Sequence, residues 1–237
     1  MTSSPEAVVR SPWVSGLIKA TPIVLGYIPI GLTFGVLAQK AGLSTFNTLM
    51  MSLLVYAGSS QLVAAGLFGA GAPAASVILT TFVVNLRHLL LSAAIAPFLK
   101  RWRKGELAAF AYQLTDETFA LHAAEFPSGV PSKTEVFAIN ATAQASWLMG
   151  TALGAGLGQV IAEVEPFGLD YVLPALFIAL IVLQIEKRTQ IGVALLTGAL
   201  SVALLVLGVE QWHVIIATVI GATFGVFLDL WTNAPSS

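Results

Sequence analysis

The sequence predicts an all-α, polytopic integral membrane protein: a helical bundle of about six to eight membrane segments, with the first and fourth broken or re-entrant. Its 237 residues are 57% hydrophobic and only 10% charged, with a mean hydropathy of +0.86, whereas soluble domains average about 25% charged residues. Asp, Glu, Lys and Arg are absent from 41–86, 136–162, 171–185, 189–209 and 211–228. A membrane-spanning helix needs about 20 apolar residues, so most of these stretches can cross a bilayer.

Eight hydrophobic or semi-hydrophobic segments follow one another along the chain. They cover 17–38, 46–69, 73–99, 106–125, 136–161, 170–185, 190–208 and 212–231. We assign 17–231 to a single transmembrane domain, between a polar N-terminal tail at 1–16 and a C-terminal tail at 232–237. The N-terminal tail lacks the pattern of a cleaved signal peptide.

Two of these segments differ from plain spans. The first contains Pro22 and Pro29, and a proline inside a helix removes a hydrogen bond and clashes with the preceding turn. Irregular backbone at membrane depth survives only where protein or a water-filled cavity surrounds it. The fourth is too polar to face lipid on all sides, since it carries Tyr112, Gln113, Thr115, Asp116, Glu117, Thr118 and His122. We therefore expect a broken or re-entrant backbone in both.

Basic residues in short loops mark the cytoplasmic side of a membrane protein. They cluster after the third and sixth segments, as Lys100, Arg101, Arg103, Lys104, Lys187 and Arg188. If the fourth segment enters the membrane and returns, both clusters are cytoplasmic, and Glu163, Glu165 and Asp170 lie outside. The same reasoning places Lys40 inside, after a re-entrant first segment. If the fourth segment crosses fully, the protein has seven or eight spans and a weaker charge asymmetry.

A short internal echo accompanies these segments. Gly71-Ala72-Pro73 and Gly129-Val130-Pro131 each separate a polar-centred segment from a long apolar one. Segments two and three would then correspond to four and five, as in membrane proteins built from internal repeats. Because glycine-proline loops are common, chance is the simpler account.

The third segment carries a charge where lipid tolerates it least. Arg87 lies midway between Pro73 and Lys100, so a straight helix places it near the bilayer midplane. A central arginine costs about 2.5–3.5 kcal/mol on insertion scales and therefore needs a protein partner or water. Polar residues on one helical stripe accompany it, with lipid expected on the other side: Thr81, Asn85, His88 and Ser92.

Asp116 and Glu117 are the candidate partners of Arg87. Adjacent residues on a helix point about 100° apart, so one carboxylate can pair with Arg87 while the other faces a cavity. The remaining acid, or His88, would bind a cationic group or exchange a proton, so the candidate proton-coupling residues are His88, Asp116 and Glu117. The alternative is a buried ion pair that only fixes helix packing. His122, near the end of its segment, is expected at a wet interface.

Five short motifs occur in order along most of the chain. They are Tyr27-Ile28-Pro29 with Phe34-Gly35, Tyr56-Ala57-Gly58-Ser59-Ser60-Gln61, Leu86-Arg87-His88, Leu114-Thr115-Asp116-Glu117-Thr118-Phe119-Ala120 and Leu173-Pro174-Ala175-Leu176-Phe177. In these motifs the sequence resembles the AzlC/YgaZ family of branched-chain amino acid exporters. Five ordered motifs are much more specific than any one of them.

The resemblance implies a secondary transporter that exports valine, leucine, isoleucine and sometimes methionine across the bacterial inner membrane. It also implies a multi-pass large subunit that works with a small AzlD/YgaH-type membrane subunit. A helix N-terminus or an arginine can hold the carboxylate of an amino acid, and an acid can hold its ammonium. We expect a midplane substrate site formed by Tyr27, Pro29, Gly31, Ser59, Gln61, Asn85, Arg87, Asp116 and Glu117. An apolar pocket for the side chain could be lined by Ile28, Ile30, Phe34, Val55 or Phe119.

Several other classes of protein lack support in the sequence. Cysteine is absent, which excludes disulfides and thiolate metal sites, and a net charge of −1 gives no reason to invoke nucleic acid. The HExxH, GxSxG and GxxxxGK[ST] motifs of zinc proteases, hydrolases and nucleotide-driven pumps are also absent. We expect no enzyme activity, cofactor or metal. Two functions stay open beside transport: a channel or proton-conducting pore, and a non-transporting membrane scaffold.

Overall fold

The computed structural model describes residues 11–159, 187–209 and 213–232, with isolated positions between 171 and 185. Most of the predicted sixth segment and of the motif at 173–177 lies outside the described residues, as do the acids at 163, 165 and 170 and the outer parts of both tails.

All regular structure in the described ranges is helical, as predicted. The α-helices are α1 (Pro12–Lys40), α2 (Thr45–Leu54), α3 (Gly58–Gly69), α4 (Ala74–Asn85), α5 (Arg87–Ile95), α6 (Lys104–Tyr112), α7 (Asp116–Glu125), α8 (Lys133–Gly158), α9 (Arg188–Val206) and α10 (His213–Thr232). Short 3₁₀ turns follow α5 at Ala96–Leu99 and α7 at Phe126–Ser128. By length and composition, α1, α9 and the stretch Ala74–Leu99 can each cross a membrane.

A parallel pair of long helices, α1 and α8, forms the core of the bundle. Their backbones approach so closely that a Cβ atom added at Gly31 would lie 2.8 Å from the Trp147 carbonyl oxygen. One added at Gly150 would lie 2.6 Å from the carbonyl oxygen of Ile28. Small residues permit such approach in membrane helix pairs, where close packing replaces the hydrophobic effect. The beginnings of both helices therefore lie at one face of the bundle and their ends at the other.

The prediction of a broken or re-entrant first segment is wrong. Residues Pro12–Lys40 form one continuous helix that contains both Pro22 and Pro29. Neighbouring helices and hydroxyl side chains can stabilise a helix across a proline; here α8 packs along α1, and Thr33 Oγ1 donates to the Pro29 carbonyl at 3.0 Å. Because α1 crosses from one face to the other, Lys40 lies at the face opposite to the beginning of α1.

The second segment is broken instead. Val55, Tyr56 and Ala57 separate α2 from α3, and Tyr56 has a φ of +44°, which is uncommon for a residue with a side chain. A Cβ atom added at Gly69 would lie 3.1 Å from Ala41 Cβ, so α3 ends beside the end of α1. The α2–α3 pair thus enters and leaves at one face.

The fourth segment is broken, as predicted. Residues 113–115 separate α6 from α7. Glu106 in the first turn of α6 forms an ion pair with Lys133, the first residue of α8, at 2.7 Å. Both ends of the α6–α7 pair therefore lie at the face where α1 and α8 begin.

The echo between the two halves coincides with an inverted arrangement. The α2–α3 pair precedes the span formed by α4 and α5, while the α6–α7 pair enters from the opposite face and precedes α8. The echoed glycines, Gly71 and Gly129, both have positive φ angles, +72° and +129°. Inverted repeats with broken helices commonly surround a site near the membrane midplane.

Candidate functional site

A central cavity lies where α3 and α7 begin. Its empty volume is about 480 Å³, including the part open to its surroundings. The lining residues are Tyr27, Ile30, Tyr56, Ala57, Gly58, Ser59, Arg87, His88, Thr115, Asp116, Glu117 and Trp147. Tyr27 and Trp147 occupy the middles of α1 and α8, and Arg87 lies at the junction of α4 and α5. The cavity is therefore at the depth of the helix midpoints.

Arg87 pairs with one of the two adjacent acids, which confirms the predicted ion pair. Its Nη1 lies 2.8 Å from Asp116 Oδ2, and its Nη2 donates to Ser59 Oγ at 2.6 Å. Asp116 also lies in the first turn of α7, where the helix dipole stabilises negative charge. The two side chains are 24% and 28% exposed, so the pair is mostly removed from the surroundings.

Glu117 is the acid left without a cationic partner among the described residues. Its Oε2 accepts a hydrogen bond from the Tyr27 hydroxyl at 2.6 Å, and that hydroxyl lies 2.6 Å from Thr115 Oγ1. Thr115 caps α7 in a reciprocal arrangement with Thr118, a common way to begin a helix. Glu117 itself is exposed. With Asp116 neutralised by Arg87, the cavity carries one excess negative charge when His88 is neutral and Glu117 is ionised.

Unused hydrogen-bond donors gather on the same cavity. Among the described residues, the buried Tyr56 hydroxyl and Arg87 Nε have no hydrogen-bond partner. The first hydrogen bond inside α3 runs from the backbone N–H of Gln61 to the carbonyl oxygen of Ala57, at 2.9 Å. The N–H groups of Gly58 and Ser59 precede that bond, and such first-turn groups stabilise anions. The cavity can therefore hold an anionic group as well as a cationic one.

Trp147 forms an apolar wall that was not predicted from the sequence. Its ring lies 5.5 Å from Tyr27 in an edge contact, and its Nε1 donates to Ser52 Oγ and Gln61 Oε1, both at 3.2 Å. A Cβ atom added at Gly58 would lie 2.7 Å from Trp147 Cη2, so the motif glycine leaves room for this ring. Tryptophan is enriched at membrane interfaces, so a tryptophan at the middle of an apolar segment is unusual. This position was the sequence signal that could have identified Trp147 as a site residue.

The structure brings together some of the predicted site residues and not others. Those that line the cavity are Tyr27, Ser59, Arg87, His88, Asp116 and Glu117. Pro29 is exposed and Gly31 packs against α8. Gln61 and Asn85 line a neighbouring apolar cleft with an empty volume of about 770 Å³ on the same measure. Of the predicted apolar lining, Ile30 contacts the cavity, whereas Val55 lies in the cleft.

His88 stabilises the junction between α4 and α5. Its Nδ1 lies 3.2 Å from the Asn85 carbonyl oxygen, and the side chain is half-buried. Leu89 and Leu90, next along this span, are 68% and 71% exposed, and their contact with lipid stays a prediction. Within the described ranges, no group of three or more His, Asp or Glu residues could hold a metal ion.

Membrane-length helices, paired broken segments and a charged central cavity define a multi-pass helical membrane protein of the transporter class. Residues 22–161 match the model of the AzlC protein family. The chain belongs to the AzlC family and is a multi-pass protein of the cytoplasmic membrane with a role in membrane transport.

Similar curated proteins come from several organisms. The chain is 29% identical to the inner membrane protein YgaZ of Escherichia coli K12 over 234 residues, covering 94% of this chain and 93% of the relative. It is 33% identical to an uncharacterized membrane protein of Helicobacter pylori 26695, covering 84% and 86%. It is 31% identical to the branched-chain amino acid transport protein AzlC of Bacillus subtilis 168, covering 78% and 73%. No solved structure gives a significant match.

Proposed function

We propose that this chain is the large subunit of a secondary transporter that exports the branched-chain amino acids valine, leucine and isoleucine across the bacterial inner membrane, with methionine as a further candidate substrate. A small AzlD/YgaH-type membrane protein is its partner. One observation carries the proposal: Arg87 neutralises Asp116, which leaves Glu117 as an unneutralised acid in a cavity that also contains unused donors. The name of the Bacillus relative supports branched-chain substrates.

The charges of the cavity match those of a zwitterion. The ammonium of the substrate binds Glu117. It takes the place of water there, and its positive charge offsets the excess negative charge of the cavity. The carboxylate binds where α3 begins, within reach of the Tyr56 hydroxyl and Arg87. Two opposite charges that enter together and are both paired avoid the cost of burying a single ion. An aliphatic side chain then packs against Trp147 and Ile30.

Efflux from preloaded cells tests the proposal. Cells that express this chain with its small partner are loaded with labelled valine, leucine, isoleucine or methionine, and loss of label is followed with time. We expect saturable efflux that is abolished in the Asp116→Asn, Glu117→Gln double variant at equal membrane abundance. Glu106→Gln serves as a control, because Glu106 pairs with Lys133 at the face of the bundle and does not line the cavity.

Efflux that does not change when the wild-type pair is expressed would contradict the branched-chain assignment. Efflux that does not saturate with substrate concentration would instead indicate a channel.

A further inference from the structure

A second polar cluster lies farther along α7 from the cavity. His122 is fully buried, so its expected position at a wet interface is wrong. Its Nε2 lies 2.8 Å from Oδ1 of Asn140, which is also fully buried. The imidazole stacks on Phe126 at 5.0 Å and lies 5.3 Å from Phe110. A titratable ring is thus held inside the bundle where the substrate cavity does not reach.

This cluster contains polar atoms with unused bonding capacity. In the part of the chain that the structure describes, His122 Nδ1, Asn140 Nδ2 and Glu125 Oε2 are buried without a hydrogen-bond partner. A buried polar atom without a partner is unfavourable, and a buried water that bonds to two to four polar groups typically satisfies such atoms. His122 can accept a proton at its open Nδ1 and release it again from the same nitrogen, while Nε2 stays hydrogen-bonded to Asn140 Oδ1.

The cluster is joined to the cavity by a polar stripe on α7. Thr115, Thr118, His122 and Glu125 follow one another at spacings of three, four and three residues, so they lie on one side of the helix. Thr118 is fully buried, and its Oγ1 lies 3.2 Å from Thr115 Oγ1. Thr115 in turn contacts the Tyr27 hydroxyl, which donates to Glu117. The stripe therefore begins at the acid that the proposed function assigns to the substrate ammonium.

The other end of the stripe reaches the face where α1 and α8 begin. Glu125 Oε1 lies 2.7 Å from Lys19 Nζ, which lies 2.8 Å from Glu135 Oε1. Among the described residues, Glu125 of α7 and Lys19 of α1 are the charged groups close enough to act on His122, and Glu135 of α8 adjoins Lys19. Lys19 is 34% exposed and Glu125 25%, so this triad can exchange protons with the aqueous phase.

We infer that this stripe is a proton-transfer path between Glu117 and the face where α1 and α8 begin, with His122 as the group that carries the proton across the buried middle. The inference rests on the proposed function. Chains of acids and histidines inside membrane proteins commonly serve as proton relays. The threonine hydroxyls connect Tyr27 to Thr118, and the path requires one bridging water between Thr118 and His122 and another between His122 and Glu125.

The path couples proton release to substrate binding. In the proposed cycle, either a proton or the substrate ammonium offsets the negative charge of Glu117. When the ammonium binds, the proton passes to the Tyr27–Thr115 hydroxyl pair, and each group along the stripe accepts one proton and releases another. At the far end one water molecule becomes hydronium, and Glu117 is left as a carboxylate paired with the ammonium. Only O–H and N–H bonds change, so no oxidant or reductant is needed. Ammonium and proton thus compete for one carboxylate, which gives amino acid–proton antiport.

Reconstituted liposomes with a pH-sensitive dye inside test the path. Two activities are measured: leucine counterflow, which exchanges labelled for unlabelled leucine without net proton movement, and proton movement driven by a leucine gradient. We expect His122→Gln and Thr118→Val to lower leucine-driven proton flux at least tenfold while counterflow stays within twofold. His213→Gln, which changes a histidine bonded to Ser201 in α10 at 2.9 Å, should alter neither.

The outcomes separate this inference from the proposed function. Wild-type protein without leucine counterflow would overturn both. Counterflow with unchanged proton flux in both variants would overturn the path alone. Loss of counterflow in parallel with proton flux in His122→Gln, with Thr118→Val unaffected, would overturn it as well, because His122 would then only support the fold.

Discussion

A charge at membrane depth is tolerated at Arg87 because its guanidinium contacts two groups. One contact is the Asp116 carboxylate and the other is the Ser59 hydroxyl. The pair brings together three separate elements: the α4–α5 junction, the beginning of α7 and the beginning of α3. Removing one partner would leave the other charge uncompensated, which costs about 3–5 kcal/mol in a fully buried pair, and less here because both side chains are about one quarter exposed.

The ion pair can be tested by restoring neutrality. We expect Arg87→Met and Asp116→Leu to lower membrane abundance and thermal stability when made singly. The double variant should recover most of both losses, because apolar residues of similar volume can replace a buried pair. Fluorescence-detected size-exclusion chromatography after heating measures the three variants side by side. A double variant as unstable as either single one would show that charge pairing does not stabilise this junction.

The pairing itself was predictable, since a midplane arginine needs an acid and two lay adjacent in the fourth segment. Which acid it takes was not predictable. That choice depends on the break at residues 113–115, which sets the rotation of α7 and directs Asp116 to Arg87 and Glu117 to Tyr27. Trp147 was missed because its importance comes from Gly58, 89 positions away in sequence, whose lack of a side chain admits the ring.

At the scale of elements, the broken segments determine where the site lies. Polar content located the break in the fourth segment, whereas the break at residues 55–57 in the second segment was not predicted. The helices that follow both breaks, α3 and α7, begin at the cavity. The prolines of the first segment predicted a break that does not occur, because the effect of a proline depends on its neighbours. Here α8 packs along the whole of α1. The local sequence around the two prolines does not indicate a packing partner that lies more than 100 residues later in the chain.

The contact between α1 and α8 can be tested with two glycines of the same helix. We expect Gly154→Ala to destabilise the protein by about 1–3 kcal/mol, as overpacking typically does, because its Cβ atom would meet the Leu32 carbonyl oxygen. Gly156→Ala is the matched control, since nothing lies within 4 Å of its added Cβ and alanine favours helix. Thermal unfolding in detergent compares them. Equal midpoints for the two variants would contradict the close packing.

At the scale of the whole molecule, two pairs of half-helices enter from opposite faces and meet at the middle of the bundle. The bilayer fixes the length of apolar segments, so the all-α membrane class followed directly from composition. The inverted arrangement left only a faint trace at Gly71 and Gly129, since the two halves share geometry rather than residues. Their meeting point places the beginnings of α3 and α7 on one cavity, which suits a ligand that carries both charges.

Binding of leucine to purified wild-type protein and to Glu117→Gln tests the central claim most directly. Isothermal titration compares leucine with 4-methylpentanoate, which keeps the carboxylate and side chain but lacks the ammonium. A hydrogen bond to a charged group contributes about 1.5–3 kcal/mol, so leucine affinity should fall at least about tenfold in the variant. 4-Methylpentanoate should bind the variant no more weakly than the wild-type protein, because the substitution removes a negative charge that repels its carboxylate. Leucine affinities within twofold of each other would contradict the assignment of Glu117 to the ammonium.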